Sequence, residues 1–351
     1  MKKTAFFTVL MTAAMLMSCG QKSGKSDIAN LSGAGATFPA PFYNIVFKNF
    51  TQETGGKITY GAVGSGGGIR SLKDQTVDFG ATDVFLSDNE LAEMDGEIIH
   101  IPTALGAVVL SYNLKEISDL KLTSELISEI FRGKITNWND TKIKAINPDL
   151  NLPNKTITPV YRSDGSGTTA VFSEYMCKAN ESWKNEIGEG KSLNFPFGVA
   201  AKGNPGVAGV VAETDGSIGY IGSEYALALS LTVASLQNSS GNFVLANDKS
   251  ISAAADITIP EDTRTSITNS SNSDAYPIST FTWIIAYKEQ KYNKRTIQNA
   301  KTLKMLLTYI TGNDGQEIAV KTNYAPLPEN VRQKTENIIK SMTYDGNKID
   351  F

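Results

Sequence analysis

Short apolar segments alternate with helical patterns along most of this chain, and that alternation restricts its fold more than any other feature. Ile58–Val63 reads as a strand, followed by a glycine-rich turn and a helix to about Gln75. Asp78–Thr82, Glu97–Ile101 and Ala107–Tyr112 read as further strands. Thr123–Phe131 carries apolar residues at helical spacing, Ile157–Tyr161 reads as a strand and Thr168–Cys177 as a helix. Phe281–Tyr287 is a strongly apolar strand, and Thr296–Thr311 a long amphipathic helix. The pattern predicts an α/β protein whose largely parallel sheets are covered by helices. With 351 residues, the chain is long enough for two domains of ordinary size.

Three segments share one design, a turn of small residues that feeds a helix. The first is Gly33-Ala-Gly-Ala-Thr-Phe-Pro-Ala-Pro-Phe-Tyr43, in which Pro39 suits a first helical turn and leaves the N–H groups of Thr37 and Phe38 free. The second is Gly64-Ser-Gly-Gly-Gly-Ile69, with Ser65 where the helix begins. The third is Tyr161-Arg-Ser-Asp-Gly-Ser-Gly-Thr-Thr169, in which Ser166, Gly167 and Thr168 open the helix. Helix N-termini hold unpaired donors and a partial positive charge, so they suit oxyanions. Arg162 adds a planar fork that matches two oxygens of phosphate or sulfate, and Asp164 can brace it. Any one such turn is ordinary capping chemistry. Three together, one with an arginine, point to an anion site.

The segment Asp78-Phe-Gly-Ala-Thr-Asp83 ends on a carboxylate. In an oxyanion site, an ionised carboxylate can only accept a hydrogen bond. It repels an anion without a proton and rewards one that keeps a proton. Phosphate near neutral pH keeps at least one, and sulfate keeps none, so Asp83 can select between two ions of similar size. The plainer reading makes Asp83 a helix cap or a solvated loop residue.

Composition narrows the alternatives. The formal net charge is -3 and Lys and Arg form no long block, so no nucleic-acid footprint is present. The single histidine, His100, rules out a zinc site of several histidines, and no cysteine cluster replaces it. His100 lies in the apolar run Glu97-Ile-Ile-His-Ile-Pro102 and reads as a core or edge-strand residue. A phosphoester hydrolase with Ser166 or Ser65 as nucleophile lacks a base placed by sequence. Gly165-Ser-Gly-Thr-Thr-Ala170 matches a loose dinucleotide pattern, but no acidic strand end follows at the expected distance. Gly190-Lys191-Ser192 resembles the end of a P-loop, but Asn185 stands where its first glycine belongs. No metal and no cofactor are expected.

The N-terminus reads as an address. Lys2 and Lys3 precede an apolar stretch from Ala5 to Met17, which is short for a membrane span. It ends in Leu16-Met17-Ser18-Cys19, which resembles a bacterial lipobox; in such signals the cysteine is acylated and becomes the new N-terminus. Residues 1–19 are therefore expected to be a signal peptide, and residues 20–29 a flexible polar tether. The mature protein would be soluble yet lipid-anchored at the cell envelope, on the periplasmic or outer surface. Cys177, the only other cysteine, reads as a small buried hydrophobe.

The motifs Gly-Ala-Gly-Ala-Thr-Phe-Pro, Gly-Ser-Gly-Gly-Gly, Asp-Phe-Gly-Ala-Thr-Asp and Arg-Ser-Asp-Gly-Ser-Gly-Thr resemble those of the PstS family, the phosphate-binding proteins of bacterial ABC phosphate importers. So do Gly133–Asp140, Asn204–Gly209, Ser217–Gly222 and Asn323–Pro328, in order from about Leu31 to the C-terminus. The resemblance implies a type II periplasmic-binding-protein fold, with two lobes of mixed sheets flanked by helices and a ligand cleft between them. It implies lobe I at about 28–103 with 276–351, and lobe II at about 104–275, with crossings near Thr103–Leu105 and Asp274–Pro277. It places phosphate ligands at Thr37, Phe38, Ser65, Asp83, Arg162, Ser166, Gly167 and Thr168, with Asp164 orienting the arginine. Gly66 departs from a common second serine, and Ser163 stands at a variable position; neither removes a ligand. The implied partners are inorganic phosphate, an ABC permease with its ATPase, and the membrane through the lipid on Cys19, with the protein itself monomeric. Rival ligands are other tetrahedral anions, among them sulfate and molybdate, and the protonated arsenate and phosphonates. A phosphate-free adhesion or scaffold protein on the same fold is a further alternative.

Overall fold

Fifteen consecutive residues, Ile98–Tyr112, form one strand, and every one of them is buried. The apolar pattern predicts two strands here, Glu97–Ile101 and Ala107–Tyr112. Pro102 lies between them and cannot donate to a ladder. It sits opposite Trp283, where the pairing register slips between Thr282 and Trp283, so the missing donor falls at an irregularity and the strand continues.

The computed structural model describes residues 28–350. The signal peptide, Cys19 and most of the expected tether lie outside the described residues. Ala29 is already held to the body of the protein, its N–H donating to Thr302 Oγ1 at 3.0 Å.

Nine strands make the main sheet: β1 (Leu31–Gly35), β2 (Ile58–Ala62), β3 (Phe79–Thr82), β4 (Ile98–Tyr112), β5 (Thr158–Arg162), β6 (Val199–Ala201), β7 (Ser217–Gly222), β8 (Thr232–Val233) and β9 (Ser279–Tyr287). Their order is β2-β1-β3-β9-β4-β7-β5-β6, and β8 pairs with β4 beside that path. Pairing is parallel in the outer parts, β1 with β2 and β3, and β5 with β6 and β7. It is antiparallel in the centre, where β9 runs between β3 and β4, and β4 pairs with β7. The sheets are therefore mixed, and the largely parallel arrangement read from the alternation holds only at the two ends. β4 belongs to both halves: Ile98–Ala107 pairs with β9, and Val108–Tyr112 with β7.

Helices follow the carboxyl ends of the parallel strands. Helix α1 (Ala40–Thr54) follows β1, α2 (Ser65–Lys73) follows β2, and α3 (Gly167–Ala179) follows β5. Helix α4 (Gly203–Glu213) follows β6, and α5 (Ser223–Ala228) follows β7. The apolar face of α1, with Phe42, Tyr43, Val46, Phe47 and Phe50 at helical spacing, is buried. Tyr43 and Phe47 pack on Tyr60, and Phe47 also packs on Phe79. Burial of each large apolar side chain stabilises the fold by roughly 1.5–3 kcal/mol, so this cluster pins α1 to its strands. The end of β1 is thereby held in place, and with it the first turn.

His100 is 2% exposed, and its Nε2 accepts the N–H of Leu86 at 3.1 Å. Burial pulls its pKa down to about 4, which suits a neutral core residue inside β4. Cys177 is partly buried and packs against the core, so it is less enclosed than the sequence suggested. Burial pushes its thiol upward, away from a reactive thiolate. No helix among the described residues is long and apolar enough to cross a membrane.

Candidate functional site

The second and third turns touch. Gly66 donates its N–H to the carbonyl of Gly165 at 2.9 Å, which brings the start of α2 against the loop before α3. Gly64 permits the approach, with φ at +91° and no room for a side chain; a Cβ there would lie 2.4 Å from Asp164 Oδ2. Gly167 is crowded in the same way. A Cβ on it would lie 2.3 Å from Ser65 Oγ and 2.6 Å from Asp83 Oδ2. Ser65, Asp83 and Gly167 therefore meet around one point, although they come from different halves of the sheet.

The third turn is built around Ser166 as helix cap. Its Oγ accepts the N–H of Thr169 at 3.0 Å, so the hydroxyl proton is left to donate elsewhere. Arg162, the last residue of β5, has a side chain only 1% exposed. Asp164 holds it by a bidentate contact, Nε to Oδ1 at 2.8 Å and Nη2 to Oδ2 at 2.6 Å. Nη1 reaches Thr168 Oγ1 at 3.3 Å. A guanidinium carries five N–H donors, and these bonds use three of them. Two remain, one on each terminal nitrogen, spaced to meet two oxygens of a tetrahedral anion. Burial pushes Asp164 upward, but the paired guanidinium and the N–H of Gly203 outweigh it and hold the carboxyl below its ordinary range.

The first turn enters through hydroxyls. Thr37 Oγ1 accepts the Asn204 backbone N–H at 3.1 Å and its Nδ2 at 2.9 Å. Asn204 Nδ2 also donates to Thr168 Oγ1 at 3.1 Å, which ties the first turn to the third. Tyr225 donates its hydroxyl to the Thr37 carbonyl at 2.6 Å, and Tyr324 to the Phe38 carbonyl at 2.5 Å. No described residue accepts from the backbone N–H of Thr37, Phe38, Ser65, Gly167 or Thr168. All eight expected ligand residues are thus buried and drawn to one locality.

The electrostatics set this locality apart from a simple basic pocket. Arg162 is balanced by Asp164. Asp83 is 1% exposed, and Thr282 donates its hydroxyl to Oδ1 at 3.0 Å. Burial pushes Asp83 up to about 7, while the Thr282 hydroxyl, the Arg162 charge and the Ser65 hydroxyl pull the other way. Asp83 does not cap the next helix. That role belongs to Ser87, which forms a capping box with Glu90. Glu224, also buried, is pushed upward, first by desolvation and then by the charge of Asp83. An anion here would be held by oriented N–H and O–H donors around one arginine, not by excess charge.

A cavity of about 550 Å³ adjoins Asp83 and Thr280, bordered by Trp283, Lys191 and Glu90. Lys191, the residue of the P-loop-like tripeptide, pairs with Glu90 at 2.7 Å across this cavity. Among the described residues no cluster of His, Cys, Asp and Glu could hold a metal ion.

The family model of the PBP superfamily domain matches residues 20–314. A phosphate-binding protein PstS from Xylella fastidiosa is 38% identical, covering 95% of this chain and 96% of the relative. This chain belongs to the PstS family. The PstS of Haemophilus influenzae is likewise 38% identical, over 86% of this chain and 90% of its own. A phosphate-binding protein from Stenotrophomonas maltophilia shares the PstS fold at a TM-score of 0.66 and 18% identity, covering 88% of this chain and 93% of that one. A high-affinity periplasmic phosphate-binding protein, crystallised with phosphate, aligns at a TM-score of 0.68 and 22% identity over 88% and 93% of the two chains. The PstS family is one of binding proteins, and this chain shares the two-lobed α/β architecture of those solved phosphate-binding proteins.

Sequence reasoning gave no role to Asn204, Tyr225, Thr282 or Tyr324. Asn204 and Tyr324 lie in segments that resemble PstS, but their partners are 167 and 286 residues away, so no local spacing discloses the contacts.

Proposed function

We propose that this chain captures inorganic phosphate between its lobes and delivers it to an ABC-type importer. The observation that carries the reading is the convergence of Ser65, Asp83 and Gly167 beside the braced Arg162. Donors from three helix starts surround a single acidic acceptor. A bound dibasic phosphate would donate its one O–H to the Asp83 carboxylate and take hydrogen bonds on its other oxygens. The ligands are Thr37, Phe38, Ser65, Asp83, Arg162, Ser166, Gly167 and Thr168, with Asp164 bracing the arginine. Lobe I comprises about 28–103 and 276–351, and lobe II about 104–275. The PstS names of relatives that span nearly the whole chain support the same ligand.

The chain binds without chemistry, acts as a monomer, and is held at the cell envelope by a lipid on Cys19. Calorimetry of the purified protein with phosphate, in a large excess of sulfate, tests the central reading. One ion per chain is expected. Absence of phosphate binding, or steady turnover of a chromogenic phosphate ester, would overturn it.

A further inference from the structure

Asn204 is fully buried at the head of α4, and its side chain makes three hydrogen bonds. Oδ1 accepts the N–H of Gly222 at 2.9 Å. Because a backbone N–H can face only the oxygen, that bond fixes which end of the amide is which. Nδ2 therefore points at the two threonine hydroxyls, Thr37 at 2.9 Å and Thr168 at 3.1 Å.

A hydroxyl has two lone pairs and one proton. Thr37 Oγ1 receives both the Asn204 backbone N–H and its Nδ2. Thr168 Oγ1 receives Nδ2 and Arg162 Nη1. Each oxygen has its accepting capacity filled and only its proton left to give. No described residue takes either proton. Left alone, a threonine hydroxyl is ambivalent and can accept the proton of a protonated anion as well as donate to a bare oxygen. Here that choice is removed on one side of the site, and Asp83 remains as the acceptor.

We propose that Asn204 is a positioning residue that forces Thr37 and Thr168 to act as donors toward a bound oxyanion, leaving Asp83 to accept the hydrogen bond from the ligand O–H. This rests on the phosphate-binding reading above. Asn204 acts through the two hydroxyls it donates to, which come from different lobes.

The test is a double-mutant cycle on the full chain, read by phosphate affinity. Asn204→Ala alone should weaken phosphate roughly 10- to 100-fold, as expected when charge-assisted donors lose their orientation. In the Thr37→Val/Thr168→Val background, Asn204→Ala should cost at most about twofold, because the groups it orients are gone. Thermal melting without phosphate shows that each variant is folded, and Asn204→Ser takes its place in the cycle if Asn204→Ala is not. An equal loss in both backgrounds would mean that Asn204 merely supports the fold, and would overturn the proposal. Failure of the parent chain to bind phosphate would overturn the functional reading as well, so the two failures are distinguishable.

Discussion

Asp164 occupies one whole side of the Arg162 guanidinium, taking Nε at 2.8 Å and Nη2 at 2.6 Å, so the arginine meets the site from one fixed direction. Removing Arg162 would strip a buried, charge-assisted contact and leave Asp164 unpaired. Arg162→Ala should weaken phosphate by about 2–5 kcal/mol, the usual cost of truncating one partner of a buried charged pair. Arg162→Lys should recover only part, because a point charge cannot supply two parallel donors and also fill the carboxylate. Titration calorimetry checks both variants; parent-like affinity for Arg162→Ala would take the residue out of the site.

Gly167 brings the start of α3 up against Ser65 and Asp83 of the other half of the sheet. In Gly167→Ala the new Cβ would stand 2.3 Å from Ser65 Oγ, so α3 must retreat before Ser65 and Asp83 can share a ligand with it. The expected cost to phosphate binding is roughly 1–3 kcal/mol, as for overpacking elsewhere. Melting without phosphate should change less than melting with it, because the clash arises only when the lobes meet. Equal shifts in the two melts would locate the damage within a single lobe.

Asp83 should govern selectivity in a pH-dependent way. Its carboxyl is held at about 7 by burial. Below that pH it keeps its own proton and can donate to a bare sulfate oxygen; above it, ionised, it can only repel one. Sulfate competition should therefore fall as pH rises through 7, approaching about tenfold per unit at the alkaline end. Dibasic phosphate brings its own proton and should be affected much less. Asp83→Asn removes the carboxyl titration, so sulfate should bind the variant more tightly than the parent at alkaline pH, with an affinity that stays flat with pH. Competition titrations from pH 6 to 9 decide the point; parallel curves for parent and variant would exclude Asp83 from ion choice.

Cys19→Ser should leave folding and phosphate affinity intact while abolishing lipid labelling and membrane retention. Metabolic labelling with a fatty-acid analogue, followed by fractionation, measures this. Normal labelling of the variant would put the anchor elsewhere.

The parts legible in the sequence are those whose chemistry is local. Gly64-Ser65 and Arg162–Thr168 announce turn, cap and donor within a few residues, and the structure forms those turns where they were read. The continuity of β4 through Pro102 was hidden, because the irregularity that absorbs the proline lies on the partner strand, at Thr282 and Trp283. The brace on Thr37 and Thr168 was hidden too, since a lone asparagine in Gly203-Asn204-Pro205 carries no local mark of its two distant partners. The capping role open to Asp83 went to Ser87, four residues on, whose Glu90 completes a reciprocal box that Asp83 cannot form.

The unbroken β4 strand also bears on how this protein comes apart. Nine of its register positions pair with β9 and five with β7, so melting either half strips partners from a strand that serves the other. Two lobes joined by loops could unfold in separate steps. Two lobes that share a central strand should lose structure as one cooperative unit. The tryptophans report on this directly: Trp283 lies on β9, whereas Trp138 and Trp183 are buried on the far side of β4, Trp138 against Tyr112 and Trp183 against Phe172. With each tryptophan retained singly and the other two replaced by phenylalanine, urea denaturation should give coincident midpoints. Separated midpoints would mean that the strand frays at its middle before either end gives way.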